Sequence, residues 1–488
     1  MKLSDKLINT ALHTIVSRGK APLAEEPPDG VFDRAEAPGG TFTAGFGRHP
    51  FLPDDIEKKK YYIAGYGSYN PARGVIDPQY AIAVWLDDGT GRGGHLFITL
   101  DVVGLLSKDV NALKAALGDF IRLTGCRGVT VTSTHNHAGI DTMGLWGPLP
   151  LTGRNPKFIA LLIESAVAAA ADAYADRRPG KLYFGKTEVP DMQEDIRTPV
   201  IYSKTLSRFR FVPDDGTRQI WMLNFASHSE SLQGCNHLVS ADFPCYLREK
   251  IRRETGAETL YAVGAIGGMI SMNIDDENLL RKEHRLLEST RNIGAKLGEY
   301  AISITDEKQL EPRLDRITQE FYVKVENSLL AVAGQVGIIQ VDRYADPAGE
   351  AIAFVKTQLT YMELGGVKML FLPCELFPEL AYGGYLTAEE SATGCGEEVN
   401  PIPLVKLAGD EDLLIYGLAD DELGYVLPPN DFLLSPDKPY LDNGRDAHGR
   451  RHYEETNSAG PETAQTIADT FEKVLKTVNT AKQKEAEA

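Results

Sequence analysis

The stretch that most limits what this chain can become runs from Leu96 to Gly139. Residues 96–105, Leu-Phe-Ile-Thr-Leu-Asp-Val-Val-Gly-Leu, read as a buried strand. Ser107 then opens an amphipathic helix that stops near Gly125, and residues 128–133, Gly-Val-Thr-Val-Thr-Ser, read as a second buried strand. Strand, helix, strand implies a parallel crossover. The alternation resumes with a helix at 246–254, a strand at 259–263 and a long helix from about 277 to 304. The chain is therefore expected to be α/β, with mixed, partly parallel β-sheets flanked by helices.

The second strand runs into Thr134-His135-Asn136-His137. In extended backbone, side chains two apart share a side, so His135 and His137 can reach one ion or one substrate. An isolated His-x-His is as readily a pair of loop histidines bonded to backbone, and context decides. In open α/β sheets ligands gather beyond the carboxyl ends of strands. Two further strands end in the same manner: residues 219–225 before Ser227-His228, and residues 367–372 before Cys374-Glu375. Three potential ligands, His135, His228 and Glu375, thus follow three strands. Two neutral imidazoles and a carboxylate around an ion with an open position is the donor set of a zinc hydrolase, although other first-row ions accept it.

Composition excludes several alternatives. With 488 residues, 43% hydrophobic and 25% charged, the chain can bury a large core without disulfides. A net charge of −18 argues against a nucleic-acid surface. The five cysteines, Cys126, Cys235, Cys245, Cys374 and Cys395, contain no CxxC pair and read as buried thiols. The N-terminus lacks an apolar leader and no run is long enough to span a bilayer, so no stable membrane anchor and a cytoplasmic location are expected. The turn Gly264-Ala265-Ile266-Gly267-Gly268 has neither GxGxxG spacing nor a Walker lysine, which speaks against a nucleotide site.

Residues 1–40 read as a surface helix and linker, residues 41–480 as the catalytic domain, and 481–488 as a disordered tail. Asn155-Pro156 caps an alanine-rich scaffold helix, residues 207–212 and 219–225 pair as a hairpin, and Gly365-Gly366 turns another. From about residue 311 strands dominate, as a second lobe or as the far half of one sheet system; the sequence leaves both open.

Short motifs recur in order along the chain: Ala-Gly-Phe-Gly-Arg at 44–48, Ala-Gly-Tyr at 64–66, Thr-His-Asn-His-Ala-Gly at 134–139, and Phe-Ala-Ser-His at 225–228. Ser-Ala-Asp-Phe-Pro at 240–244, Gly-Leu-Ala-Asp-Asp-Glu-Leu-Gly-Tyr-Val at 417–426 and Tyr453-Glu454 follow. Together they resemble the neutral/alkaline, non-lysosomal ceramidase family, zinc amidases that cleave the N-acyl bond of ceramide. The resemblance implies Zn²⁺ bound by His135, His228, Glu375 and Tyr425, with Glu379 a neighbouring alternative to Glu375. It implies His137 and Arg197 facing substrate, Arg197 within Ile-Arg-Thr-Pro, and Tyr453 near the scissile group. The family's Gly-Asp-Val-Ser-Pro-Asn segment appears here as Gly267-Gly268-Met269-Ile270-Ser271-Met272-Asn273, without the aspartate, so a role for Ser271 is not carried over.

The chain ends soon after these motifs, without the immunoglobulin-like C-terminal domain of typical members. The expected substrate is therefore a soluble or modest-sized N-acyl compound rather than membrane-embedded ceramide, with Met143, Leu145, Trp146 and Leu149 as apolar lining. An esterase or lactonase with the same metal, or a metal-stabilised binding protein, are the competing readings. His95, His237, His284, His448 and His452 are read as structural, His237 being the nearest to a site role.

Overall fold

The computed structural model describes residues 21–58, 60–148, 150–273, 283–348, 353–394, 396–436, 438–441 and 444–486. The helix expected in residues 1–20, the start of the one expected from about 277, Leu149 and Cys395 lie outside them.

A nine-stranded sheet contains β1 (Phe42–Pro50), β2 (Tyr80–Asp87), β3 (His95–Leu100), β4 (Gly128–Ser133), β5 (Arg178–Glu188), β6 (Thr205–Pro213), β7 (Ile220–Phe225), β8 (Glu258–Val263) and β9 (Glu307–Gln309). Its order is β8-β7-β6-β5-β1-β2-β3-β4, with β9 on β5. Both ends are parallel pairs, β3 with β4 and β7 with β8, and the strands between are antiparallel. The helices of this half are α1 (Ser107–Ala116), α2 (Gly118–Thr124), α3 (Pro156–Ala175), α4 (Phe243–Thr255) and α5 (Glu283–Ser303). The β3–β4 crossover is thus two short helices broken at Leu117, where one continuous helix was expected.

A five-stranded sheet follows: β10 (Leu314–Val325), β11 (Arg343–Tyr344), β12 (Ala353–Leu364), β13 (Val367–Phe371) and, beyond a two-residue strand β14 (Glu375–Leu376), β15 (Leu414–Tyr416). β14 pairs in parallel with β16 (Tyr425–Val426). Helices α6 (Ser328–Gln335), α7 (Pro378–Tyr382), α8 (Leu404–Ala408) and α9 (Thr463–Ala486) belong to this half. Gly365 and Gly366, at φ 56° and 90°, close the β12–β13 hairpin as a two-residue turn that needs positive φ at both positions.

Period-two alternation sorts the strand residues into layers. Ala81, Ala83 and Trp85 of β2 face α3, whereas Ile82, Val84 and Leu86 face the second sheet. Met369 and Phe371 meet them from β13, while Leu370 faces away toward α9. Phe97 and Phe371 lie 6.3 Å apart across the two sheets, and Phe371 stacks on Tyr416 at 4.5 Å. The architecture is therefore helices, sheet, sheet, helices. The region from about 311 is the second sheet, packed face to face on the first.

The large sheet curls until β8 approaches β3 and β4 at the opposite edge. This brings the carboxyl ends of both parallel pairs to one place, which flat order alone would keep apart.

Two further expectations are corrected. α3, 20 residues at hydropathy 1.6, is long and apolar enough to cross a membrane by length and composition. It packs instead on β1, where a Cβ at Gly45 or Gly47 would come within 2.1 Å of Ala173 O or 2.0 Å of Ala169 O. The terminal helix α9 continues through Ala486, so residues 481–486 are helical and not a disordered tail.

Candidate active site

Past β4 the chain takes a left-handed step at His135, φ 55°, and bonds to the segment leaving β7: His137 N donates to Ser229 O at 2.9 Å. The two imidazoles meet through this turn rather than through extended-strand alternation. His135 Nδ1 donates to Val103 O at 2.7 Å and His228 Nδ1 to Ile270 O at 2.9 Å. These bonds fix the tautomers and leave both Nε2 atoms bare. Glu375 Oε2 stands 3.2 Å from each of them. Parallel pairing of β14 with β16 places Tyr425 in register with Glu375.

The donor set fits a metal ion. The Nε2-to-Oε2 separations of 3.2 Å are close to the roughly 3.3 Å between neighbouring donors of a tetrahedral site with metal–nitrogen bonds near 2.0 Å. Nitrogen donors of His135, His137 and His228 all lie within 4.8 Å of one another. With a neutral His135, whose Nδ1 carries the proton, His137 Nε2 at 2.9 Å from His135 Nε2 has to donate to it, which strips His137 Nδ1 of its proton and leaves that buried atom without a partner. A cation among the Nε2 atoms removes this demand, and the proton can then sit on Nδ1, facing Glu230 Oε2 at 3.5 Å.

The electrostatics agree. Burial would raise the Glu375 carboxyl, but His135 and His228 hold it well below the usual carboxylate range. Burial and the neighbouring imidazoles push His137 well below an ordinary histidine. Burial, then Glu375, lifts the Tyr425 phenol well above 10, and burial with Glu454 lifts that of Tyr453. Both phenols are therefore hydrogen-bond donors at neutral pH.

A cavity of about 280 Å³ opens over this cluster. Its polar lining includes His135, His137, Glu375, Glu422 and Tyr425; Met143, Leu145, Trp146, Leu330 and Ile339 supply apolar walls.

Two solved structures share the architecture: neutral ceramidase from Pseudomonas aeruginosa and a ceramidase complexed with C2. Each is 16% identical with a TM-score of 0.66; the matches cover 89% of this chain and 74% and 75% of theirs. The fold is that of neutral ceramidase. No protein-family profile and no curated protein sequence matches the chain.

On this ceramidase fold the residues singled out from sequence separate into three groups. His135, His137, His228 and Glu375 form the cluster, and Tyr425 shares its cavity. Tyr453 lies one ring further out, its centroid 6.4 Å from that of Tyr425. Arg197 is not in the cavity lining: it donates to Glu379 at 2.8 Å and covers Phe377 at 4.1 Å, and Phe377 in turn packs on Tyr425. Glu379 is thereby occupied, and Glu375 is the acid at the histidines.

Glu230 and Glu422 were missed. Glu230 accepts from Tyr66 Oη at 2.7 Å and from Ser271 Oγ while facing His137. Glu422 is buried beside Glu375, its Oε2 without a partner, and burial followed by Glu375 raises its carboxyl well above the usual range. Glu422 stands in the motif that also holds Tyr425, and Glu230 lies two residues after His228; that adjacency was the available signal. Tyr66 and Ser271 belonged to quoted segments but had no role.

Three of the histidines read as structural have their own side-chain partners. His95 bonds Thr130 Oγ1 at 3.0 Å, His237 bonds Asn70 Oδ1 at 2.5 Å, and His452 lies between Asp446 and Glu455. The side chain of His284 lies outside the described residues.

Proposed function

We propose that the protein is a metal-dependent hydrolase, zinc being the best-fitting ion, that cleaves an N-acyl bond in a small or single-chain substrate. The observation that carries this reading is the convergence of His135 Nε2 and His228 Nε2 on Glu375 Oε2 beside a cavity with apolar walls. An ion held by these three residues, with Tyr425 as a further donor, would acidify a water to near neutrality and polarise the carbonyl under attack.

The remaining steps fall to the chain's own groups. The protonated phenols of Tyr425 and Tyr453 can donate to the oxygen on which negative charge develops. His137, kept neutral by burial, can take a proton from the attacking water and return it to the leaving nitrogen. Glu230 fixes the ring of His137, and Arg197 supports Tyr425 from behind through Phe377. The likeness to ceramidases supports N-acyl cleavage. At about 280 Å³ the cavity is near the lower end of the roughly 300–1,000 Å³ usual for ligand pockets, in keeping with a modest-sized substrate.

Turnover of matched N-acyl and O-acyl substrates, with and without chelator, tests the reading. Chelator-sensitive hydrolysis that favours the amide is expected. Chelator-sensitive cleavage of esters alone would make the protein an esterase or lactonase, and no turnover with metal bound would make it a binding protein. Clear preference for long-chain ceramide in micelles would overturn the substrate size.

A further inference from the structure

The same cavity is lined by one residue that amide hydrolysis does not use. Arg343 lies in β11, and its register partner on β12 is Val355. Antiparallel partners share a face, and Val355 lines the cavity, as does Val341 two residues before Arg343. Packing holds the arginine stem against α6, since a Cβ at Gly334 would meet Val341 at 2.9 Å and Arg343 Cδ at 3.4 Å. Among the described residues no carboxylate lies within 4.0 Å of its guanidinium, and it is the one Lys or Arg in the cavity lining.

Arg343 is half-buried and has no anionic partner among the described residues, whereas the neighbouring cation Lys108 is paired with Asp342 at 3.3 Å. Of the cavity's carboxylates, Glu375 stands 3.2 Å from His135 and His228, Glu422 lies beside Glu375, and Asp421 accepts from Ser107 N at 2.6 Å; Arg343 enters from β11, between the lining residues Val341 and Val355.

We propose that the substrate carries an anionic group, separated by an aliphatic spacer from the amide to be cleaved, and that Arg343 is the residue that selects it. The inference rests on the hydrolase reading for the identity of the amide, but the anion site itself does not depend on turnover. A carboxylate, phosphate or sulfate would serve the same contact. The guanidinium makes charge-assisted hydrogen bonds to it while the spacer lies along Val355, Val341 and Leu330.

The test compares ligands that differ only in terminal charge. Decanoate and decanol are titrated calorimetrically into the wild-type protein and the Arg343→Gln and Arg343→Lys variants. The p-nitroanilides of suberic acid and of its monomethyl ester are compared as substrates on the same proteins. Decanoate is expected to bind about tenfold or more tightly than decanol, with the free-acid anilide favoured similarly in kcat/KM. Arg343→Gln should abolish both preferences and Arg343→Lys should retain part of them. Any affinity of decanoate for metal is common to wild type and variant, so the difference between them isolates Arg343. Equal binding of the pair, or a preference unchanged in Arg343→Gln, overturns the inference. A charge preference in binding without turnover of either anilide would leave it standing and remove the hydrolase reading instead.

Discussion

The Arg197–Glu379 pair is the most exposed to single substitutions among the residues around the site, because Glu379 is fully buried and its Oε2 already lacks a partner. Removing one member of such a pair leaves an uncompensated buried charge. Arg197→Ala is therefore expected to lower stability by about 3–5 kcal/mol in denaturant melts while metal content stays at the wild-type level. Replacing both members by neutral residues should recover much of the loss. Glu230 acts through another group: it stands behind His137, where a carboxylate fixes the ring that faces the reaction. Glu230→Gln should retain metal, leave KM nearly unchanged and slow kcat by roughly 10- to 100-fold. Loss of metal in that variant would instead make His137 a ligand that depends on Glu230.

At the level of the element, the loops that carry the site tolerate little. Gly65 has φ 100°, and a Cβ there would come within 2.4 Å of the His137 ring. Gly65→Ala should cost activity more than stability, detectable as a fall in kcat with an unchanged chelator-sensitive melting shift. At the start of α4, Asp242 caps the helix by accepting from Phe243 N at 2.7 Å, and it also accepts from Ser231 and Leu232. Burial lifts its carboxyl to about 6 despite these bonds. The native state then holds this proton up to about pH 6, whereas an unfolded aspartate releases it near 3.9. Between those values the native state binds more protons, so stability from this group is full below about pH 4 and falls as pH rises to 6. The stability difference between wild type and Asp242→Asn should shrink over that window, by at most roughly 3 kcal/mol.

Across the whole molecule, the two sheets share one core and the candidate ligands are divided between them, His135 and His228 from the first and Glu375 from the connection after β13. Phe371, 3% exposed between Phe97 and Tyr416, ties that interface. Phe371→Ala is expected to cost about 3–5 kcal/mol and to preserve a single unfolding transition, since neither sheet covers its inner face alone. A two-step melt would show that the second sheet folds separately. Zinc at saturating concentration should raise the melting temperature of the wild type by mass action, and a His135→Ala, His228→Ala double variant should lose that shift.

Local pattern in the chain was enough to place the parallel crossover, the hairpins, and the positions of His135, His228 and Glu375 at the ends of strands. These depend on period-two and helical spacing over a few residues, and on motif order. Tertiary structure alone decided which of those ends meet. His135 and His228 leave opposite sides of an eight-strand order and converge only because the sheet curls, a shape set by packing of residues as distant as Phe97 and Phe371. The same packing chose Glu375 over Glu379, drew Arg197 out of the cavity into a buried ion pair, and delivered Glu230 behind His137. Such choices follow from which side chains can be buried together and still find their partners, and no short window of sequence contains that information.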